Sequence, residues 1–190
     1  MKKMKCFIYV TIFASLICFS GCGKNNEKAG SGTQPEGQAS EDSGAINEGT
    51  VQMANPWRES SEAEIEKILD TDVRLPENSS DIEYRVMNDG EICETDFCYD
   101  DLSFTYRLKA AEKAEDISGL YYEWDVTDDV DFHGCKAFAK RSVSDEETVD
   151  LFQWYDEEKG IIHSLSTAAA DLDGFDIQGI AELLYIDDNN

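Results

Sequence analysis

Two histidines, His133 and His163, and six cysteines are the side chains on which soft-metal or nucleophilic chemistry would have to be built in this chain. His133-Gly134-Cys135 sets one imidazole beside one thiol. A structural zinc site needs four ligands at recognisable spacing, and no second His or Cys pair lies nearby in sequence. A strand residue beside a bulge is therefore the simpler reading of His133. A thiolate nucleophile needs a base within hydrogen-bond reach, and Cys93 or Cys135 with His163 is the combination that would supply one. The chain holds no Gly-x-Ser-x-Gly elbow, no Ser-x-x-Lys pair, no His-Glu-x-x-His helix and no glycine loop of the phosphate-cradling kind. Two acidic stretches, residues 125–131 and 171–176, offer oxygen ligands to calcium. Neither has the alternating ligands, glycine and distal glutamate of an EF-hand, so the first reads as a turn and the second as a helix cap. No catalytic residue, metal ligand or cofactor is expected.

The N-terminal cysteine is a different matter. Lys2, Lys3 and Lys5 precede an apolar run from Cys6 to Ser20, which closes on Phe19-Ser20-Gly21-Cys22. A basic head, an apolar stretch and small residues before the cut make an export signal. The ending resembles the bacterial lipobox, whose cysteine thiol receives a diacylglycerol and becomes the new N-terminus, although Phe19 stands where leucine is usual. Cys18 is a poorer candidate because Leu16 and Ile17 precede it. A transmembrane anchor would need about 20 predominantly apolar residues, and here the run stops near that limit without a strong basic stop. The expected organisation is a signal peptide over 1–21, lipidated Cys22 with a flexible linker over 22–50, and one globular domain over 51–190. Such a chain is anchored to the outer face of the cell membrane through its N-terminal lipid, in the extracytoplasmic space.

Charge narrows the partners. Residues 1–50 carry five basic and five acidic side chains, so the whole formal charge of −25 falls on residues 51–190. Nucleic-acid affinity comes mainly from cationic groups releasing counterions from phosphates, and this surface repels phosphate. Nucleic acid and direct docking of the domain on anionic lipid are excluded; a protein or another extracellular ligand is the expected partner. Residues 23–50 hold almost no large apolar side chains and cannot offset their ordering entropy by burial, which makes them a tether. Cys93, Cys98 and Cys135 remain in the domain, an odd number that rules out full pairing. Five residues apart on a strand, Cys93 and Cys98 point to opposite faces. A bridge from Cys135 to one of them and three reduced thiols both stay open.

Hydropathy periods supply the elements. Ser61-Glu62-Ala63-Glu64 has the capping-box form, and Ile65, Ile68 and Leu69 follow at helical spacing. From residue 81 the period becomes two, through Ile82, Tyr84 and Val86, then Cys93, Thr95, Phe97 and Tyr99, with Asn88-Asp89-Gly90 as the turn between. Leu102, Phe104, Tyr106 and Leu108 form the cleanest alternation. Leu120, Tyr122, Trp124 and Val126 predict another strand, and a less regular one covers Val130–Lys140 with Gly134 as a bulge. Val149–Tyr155 and Ile161–Thr167 flank a five-residue loop ending in Gly160. Helical spacing returns at Ile177, Ile180, Ala181 and Leu184, capped by Asp173 or Asp176. The expected fold class is α+β: a curved antiparallel meander of about six to seven strands, with the N- and C-terminal helices on one face.

Asn55-Pro56-Trp57, Asp116-Ile117-Ser118-Gly119 followed by Tyr121-Tyr122, and Asp171-Leu172-Asp173-Gly174-Phe175 stand in an order that resembles a domain-of-unknown-function family of Gram-positive bacterial lipoproteins and secreted proteins. The likeness spans roughly residues 53–186. It implies a surface protein with an α+β fold and carries no catalytic residues with it. The aromatic run Leu151-Phe152-Gln153-Trp154-Tyr155 puts large side chains on both faces of one strand. Either that strand is central and covered on both sides, or Phe152 and Trp154, with Tyr121, form an exposed binding patch of the kind that marks interaction sites. The reading that results is a non-enzymatic, lipid-anchored binding or interaction module. Its alternatives are a small thiol-dependent hydrolase using Cys and His on the sheet, and a structural subunit of an envelope complex.

Overall fold

The computed structural model describes residues 55–186. Cys22, the signal segment and the linker lie outside the described residues. The chain enters as strand β1 (Trp57–Glu59) and turns at once into helix α1 (Glu62–Leu69). The Ser61 side chain accepts from the Glu64 backbone N–H, as a capping box requires, but the other half of the box is absent. The Glu64 carboxylate instead takes two bonds from Arg58, at 3.2 and 2.7 Å, and one from the Ser60 hydroxyl. The helix buries Ile65 and Leu69 and ends where Asp70 adopts a left-handed conformation.

Seven further strands follow: β2 (Ser80–Met87), β3 (Ile92–Tyr99), β4 (Leu102–Ala110), β5 (Val126–Phe132), β6 (Cys135–Val143), β7 (Thr148–Asp156) and β8 (Ile161–Ala169), before helix α2 (Ile177–Leu184). Asp176 caps α2 by accepting from Gly179. The strands form one antiparallel sheet in the order β1-β2-β3-β4-β8-β7-β6-β5. Eight strands exceed the six to seven expected, and the meander is interrupted. Strands β1–β4 form one antiparallel run and β5–β8 another; the two meet where β4 pairs β8, from Phe104↔Thr167 to Ala110↔Ile161.

Two departures explain the difference. The alternation over Leu120–Trp124 does not make a strand: pairing begins at Val126, and residues 111–125 instead carry the chain from β4 at the sheet centre to β5 at its edge. Val130–Lys140 is not one bulged strand but a hairpin that turns at His133 and Gly134, both at positive φ, between Phe132 and Cys135. Elsewhere the turn chemistry holds, with Asn88–Gly90 between β2 and β3 and Gly160 left-handed before β8.

The two faces of the sheet are covered by different things. On one, Val86, Phe97, Phe104, Tyr106, Leu108, Phe152, Trp154 and Leu165 join Ile65 and Leu69 of α1 and Ile177, Ala181 and Leu184 of α2 in a single apolar cluster. On the other lies a smaller cluster of Ile117, Tyr155 and Ile162, with Ala111 packed against it. Ile117 and Ala111 belong to the 111–125 segment, which straps this second face. Strand β7 sits under both covers, and all nine of its residues are buried.

Candidate functional site

The strap is held by side chains that point out of the second face. Arg107, in register with Glu94 and Ser164, donates to the carbonyls of Ile117 and Ser118, at 3.3 and 2.5 Å, and through Nε to Glu94 at 2.6 Å. Glu94, 4 % exposed, also faces Arg85 at 2.9 Å; Arg85 in turn contacts Asp96, which accepts from Thr105 at 2.7 Å. Two arginines around two carboxylates satisfy a buried charge that neither partner could leave alone without cost. The guanidinium of Arg107 also lies 5.5 Å from the Trp57 ring centre. Gln153 grips the strap with both ends of its amide: Nε2 donates to Glu115 O at 2.8 Å, and Oε1 accepts from Ile117 N at 3.2 Å. Tyr155 donates to Ala111 O at 3.0 Å.

Gly119 is required where it stands. Its φ is +67°, and a Cβ there would fall 2.1 Å from Arg107 Nη1, so any side chain would displace the guanidinium that clamps the preceding carbonyls. Around this clamp the strap is pinned by Lys109 to Glu115 at 2.7 Å and by Lys140 to Asp116 at 3.7 Å. The Lys109 bond holds the Glu115 carboxyl below its ordinary range. Lys140 also lies over the rings of Trp124 and Phe138, 5.5 and 4.6 Å from their centres. Past the clamp the strap turns its aromatic side chains outward. Tyr121 is 98 % exposed and Tyr122 40 %; Tyr122 donates to Glu147 at 3.2 Å.

The expected patch does not assemble. Phe152 and Trp154 are 0 % and 1 % exposed and face the helix-side cluster, so Tyr121 alone of the three presents a surface. The physical reason is that β7 is covered on both sides, the first of the two arrangements its aromatic run allows. Trp154 stacks on His163 at 4.5 Å with the rings 4° from parallel. His163 Nδ1 lies 2.6 Å from the Tyr106 hydroxyl. Burial pushes this imidazole down to about 3, with Lys159 adding to the shift, and pushes the Tyr106 phenol up. Both groups are thus neutral at physiological pH and share this one short hydrogen bond.

The thiols lie apart from that imidazole. Cys93 pairs with Leu108, and Leu108 with His163, so two strand spacings, about 10 Å, separate Cys93 from the imidazole with Leu108 between. Cys135 lies beyond the Lys136↔Tyr155 pair, two strands from β8. Burial raises the Cys93 thiol to about 11, and burial with Asp156 raises Cys135; a nucleophile needs the opposite shift. Cys93 and Cys98 occupy opposite faces, and no disulfide joins Cys93, Cys98 and Cys135 to one another. His133, at the hairpin turn, contacts Glu182 of α2 at 2.6 Å and stacks on Tyr185 at 4.1 Å, which ties β5–β6 to the C-terminal helix.

Of the acidic stretches, Asp125 accepts from Val143 N, Asp131 from Gly134 N and Asp171 from Asp173 N, as turns and caps do. Among the described residues no three His, Cys, Asp or Glu side chains converge as metal ligands would. Sequence reasoning missed Arg107, Gln153 and Gly119. The available signal was a charged residue inside the cleanest strand and a glutamine inside the most aromatic one. Comparison with family models, with curated proteins and with solved structures finds no match.

Proposed function

We propose that this chain is a lipid-anchored extracytoplasmic binding module, tethered through Cys22, and that it engages a protein or other extracellular ligand with the outer surface of the strap around Tyr121. The observation that carries the reading is the exposure of Tyr121 at 98 %, two residues beyond a glycine that the fold cannot replace. A large ring left in water on a clamped segment contributes nothing to the core. It is also ready to bury area on a partner at low cost in conformational entropy. The lipobox-like ending at Cys22 and the resemblance to surface lipoproteins support the location. The non-enzymatic half of the reading is supported by the separation of Cys93 from His163 and by the raised thiols.

A photo-reactive amino acid at position 121 of the native, membrane-attached chain tests the binding surface. A discrete crosslinked adduct is expected there and not with the same group at exposed Glu77, on the loop after α1. No adduct at 121 in intact cells would overturn the surface assignment. Metabolic labelling with a fatty acid tests the anchor: label should appear on the mature chain and vanish in Cys22→Ala.

A further inference from the structure

The sheet has two edges, and they are finished differently. β1 is three residues long and follows Pro56; short strands and proline both blunt an edge against added pairing. β5 runs seven residues in unbroken register with β6, from Val126↔Arg141 to Phe132↔Cys135, without bulge or proline. Among the described residues β6 is its one strand partner. Five of its seven residues are exposed, and its outer row of backbone N–H and C=O groups has no strand to pair with among the described residues, the template on which strand addition works.

Side chains along this edge select what could be added. Thr127, Asp129 and Asp131 face the strap side; Val126, Asp128 and Val130 face the helix side, opposite Arg141, Ala139 and Ala137. A second copy of the same edge would set carboxylate against carboxylate, which destabilises a cross-strand pair. A cationic strand would do the reverse, and the −25 charge of the domain draws such a segment in. At its N-terminal end the edge runs into exposed apolar surface, with Val126 45 % and Val143 58 % exposed.

We infer that β5 is the docking edge for an extended, Lys/Arg-rich segment of a partner protein, added as a ninth strand. Its alternate cationic side chains lie against Asp129 and Asp131, and its intervening apolar ones lie against Val126 and Val130. The inference rests on the domain being a binding module and names a second, separate surface for it.

The test uses the full-length chain in detergent micelles and a labelled nine-residue peptide of alternating Lys and Val, followed by fluorescence anisotropy. Three controls separate the contributions: the same peptide with every second backbone nitrogen methylated, a Glu-Val counterpart, and the Asp129→Asn/Asp131→Asn chain, whose exposed substitutions leave the core untouched. The Lys-Val peptide should bind, the Glu-Val peptide should not, and both methylation and the double substitution should weaken binding about tenfold or more. No binding, or equal binding of the methylated peptide, would overturn the proposal, the latter by showing charge attraction without strand pairing. Dimerisation of the chain that the Lys-Val peptide fails to disrupt would assign the edge to a second copy instead. Tyr121→Ala should leave peptide binding unchanged. Loss of the position-121 adduct with intact peptide binding therefore counts against the strap surface alone, and the converse against the edge alone.

Discussion

The two faces of one sheet solve the same problem, covering eight strands from water, with opposite chemistry. On the helix side the cover is apolar: rings of β3, β4, β5 and β7 and aliphatic side chains of β8 meet aliphatic side chains of α1 and α2. On the strap side it is a chain segment with no regular hydrogen bonds of its own, so its backbone groups must be satisfied by the sheet. Arg107 and Gln153 provide that, and burying them in turn requires Glu94 and Arg85. The lesson is that a helix brings its hydrogen bonding with it and can lie on a greasy surface, whereas an irregular strap can lie only on a surface built to pair with it.

The contrast breaks most visibly if the helix-side core is emptied. Trp154→Ala removes the ring that joins Phe132, Phe152, Tyr106 and His163, and urea denaturation should show a loss of about 3–5 kcal/mol. A smaller loss would mean the strap side carries more of the stability than its few apolar residues suggest. Arg107→Met tests that side. It leaves Glu94 buried with Arg85 as its remaining cation and frees two strap carbonyls, at a cost of about 2–3 kcal/mol. Its second signature is local: amide hydrogen exchange should accelerate over 111–125 and stay unchanged in α1 and α2. Uniform acceleration would refute the division into two covers.

Acid distinguishes the faces by another route. His163 lies on the helix side with its folded pKa lowered to about 3 from an ordinary value of 6.5. Between those values the unfolded chain binds the proton and the folded chain does not, so stability falls as pH falls through that window. The slope contributed by one such group approaches 1.4 kcal/mol per pH unit. Carboxylates held by cations, such as Glu115, lose their contribution as pH falls in the same direction, so the diagnostic quantity is a difference. His163→Gln, which keeps a hydrogen-bonding group opposite Tyr106, should flatten the decline between about pH 6 and 4 relative to the parent. Parallel curves would mean the imidazole is not shielded as its stacking implies.

How much of this was legible in the sequence follows the same division. The helix-side face was readable because period-two and helical spacing describe burial against one apolar partner, and both helices, the β2–β4 run and the β7–β8 hairpin were found from it. Leu120, Tyr122 and Trp124 alternate and so predict a strand where the strap runs. Alternation records which side a residue faces, not whether a neighbouring strand is there to pair with it. The hairpin at His133-Gly134 reads as a bulge in sequence because two successive positive-φ residues in a short turn leave the same sequence mark as one glycine kink. Nor could spacing show that Phe152 and Trp154 are covered: the run Leu151–Tyr155 is equally apolar whether its second face meets a strap or a partner. The charged cluster was invisible because Arg85, Glu94, Asp96 and Arg107 come together only through register across β2, β3 and β4.

Tyr121 provides the finest test, since the expected effect on stability is near zero. Its ring touches water over almost its whole surface, and exposed substitutions away from caps and networks change stability by about 0.5 kcal/mol or less. Tyr121→Ala should therefore leave the urea midpoint and the exchange pattern of the strap unchanged. Gly119→Ala, two residues earlier, should loosen 111–125 measurably, because its Cβ and the Arg107 guanidinium cannot share the same space. The pair separates two meanings of a residue on the strap. If Tyr121→Ala destabilises as much as Gly119→Ala, the tyrosine is part of the cover and the strap is merely structural. If stability holds while a partner that co-purifies with the parent chain is lost from Tyr121→Ala, the residue is kept for what lies outside the fold.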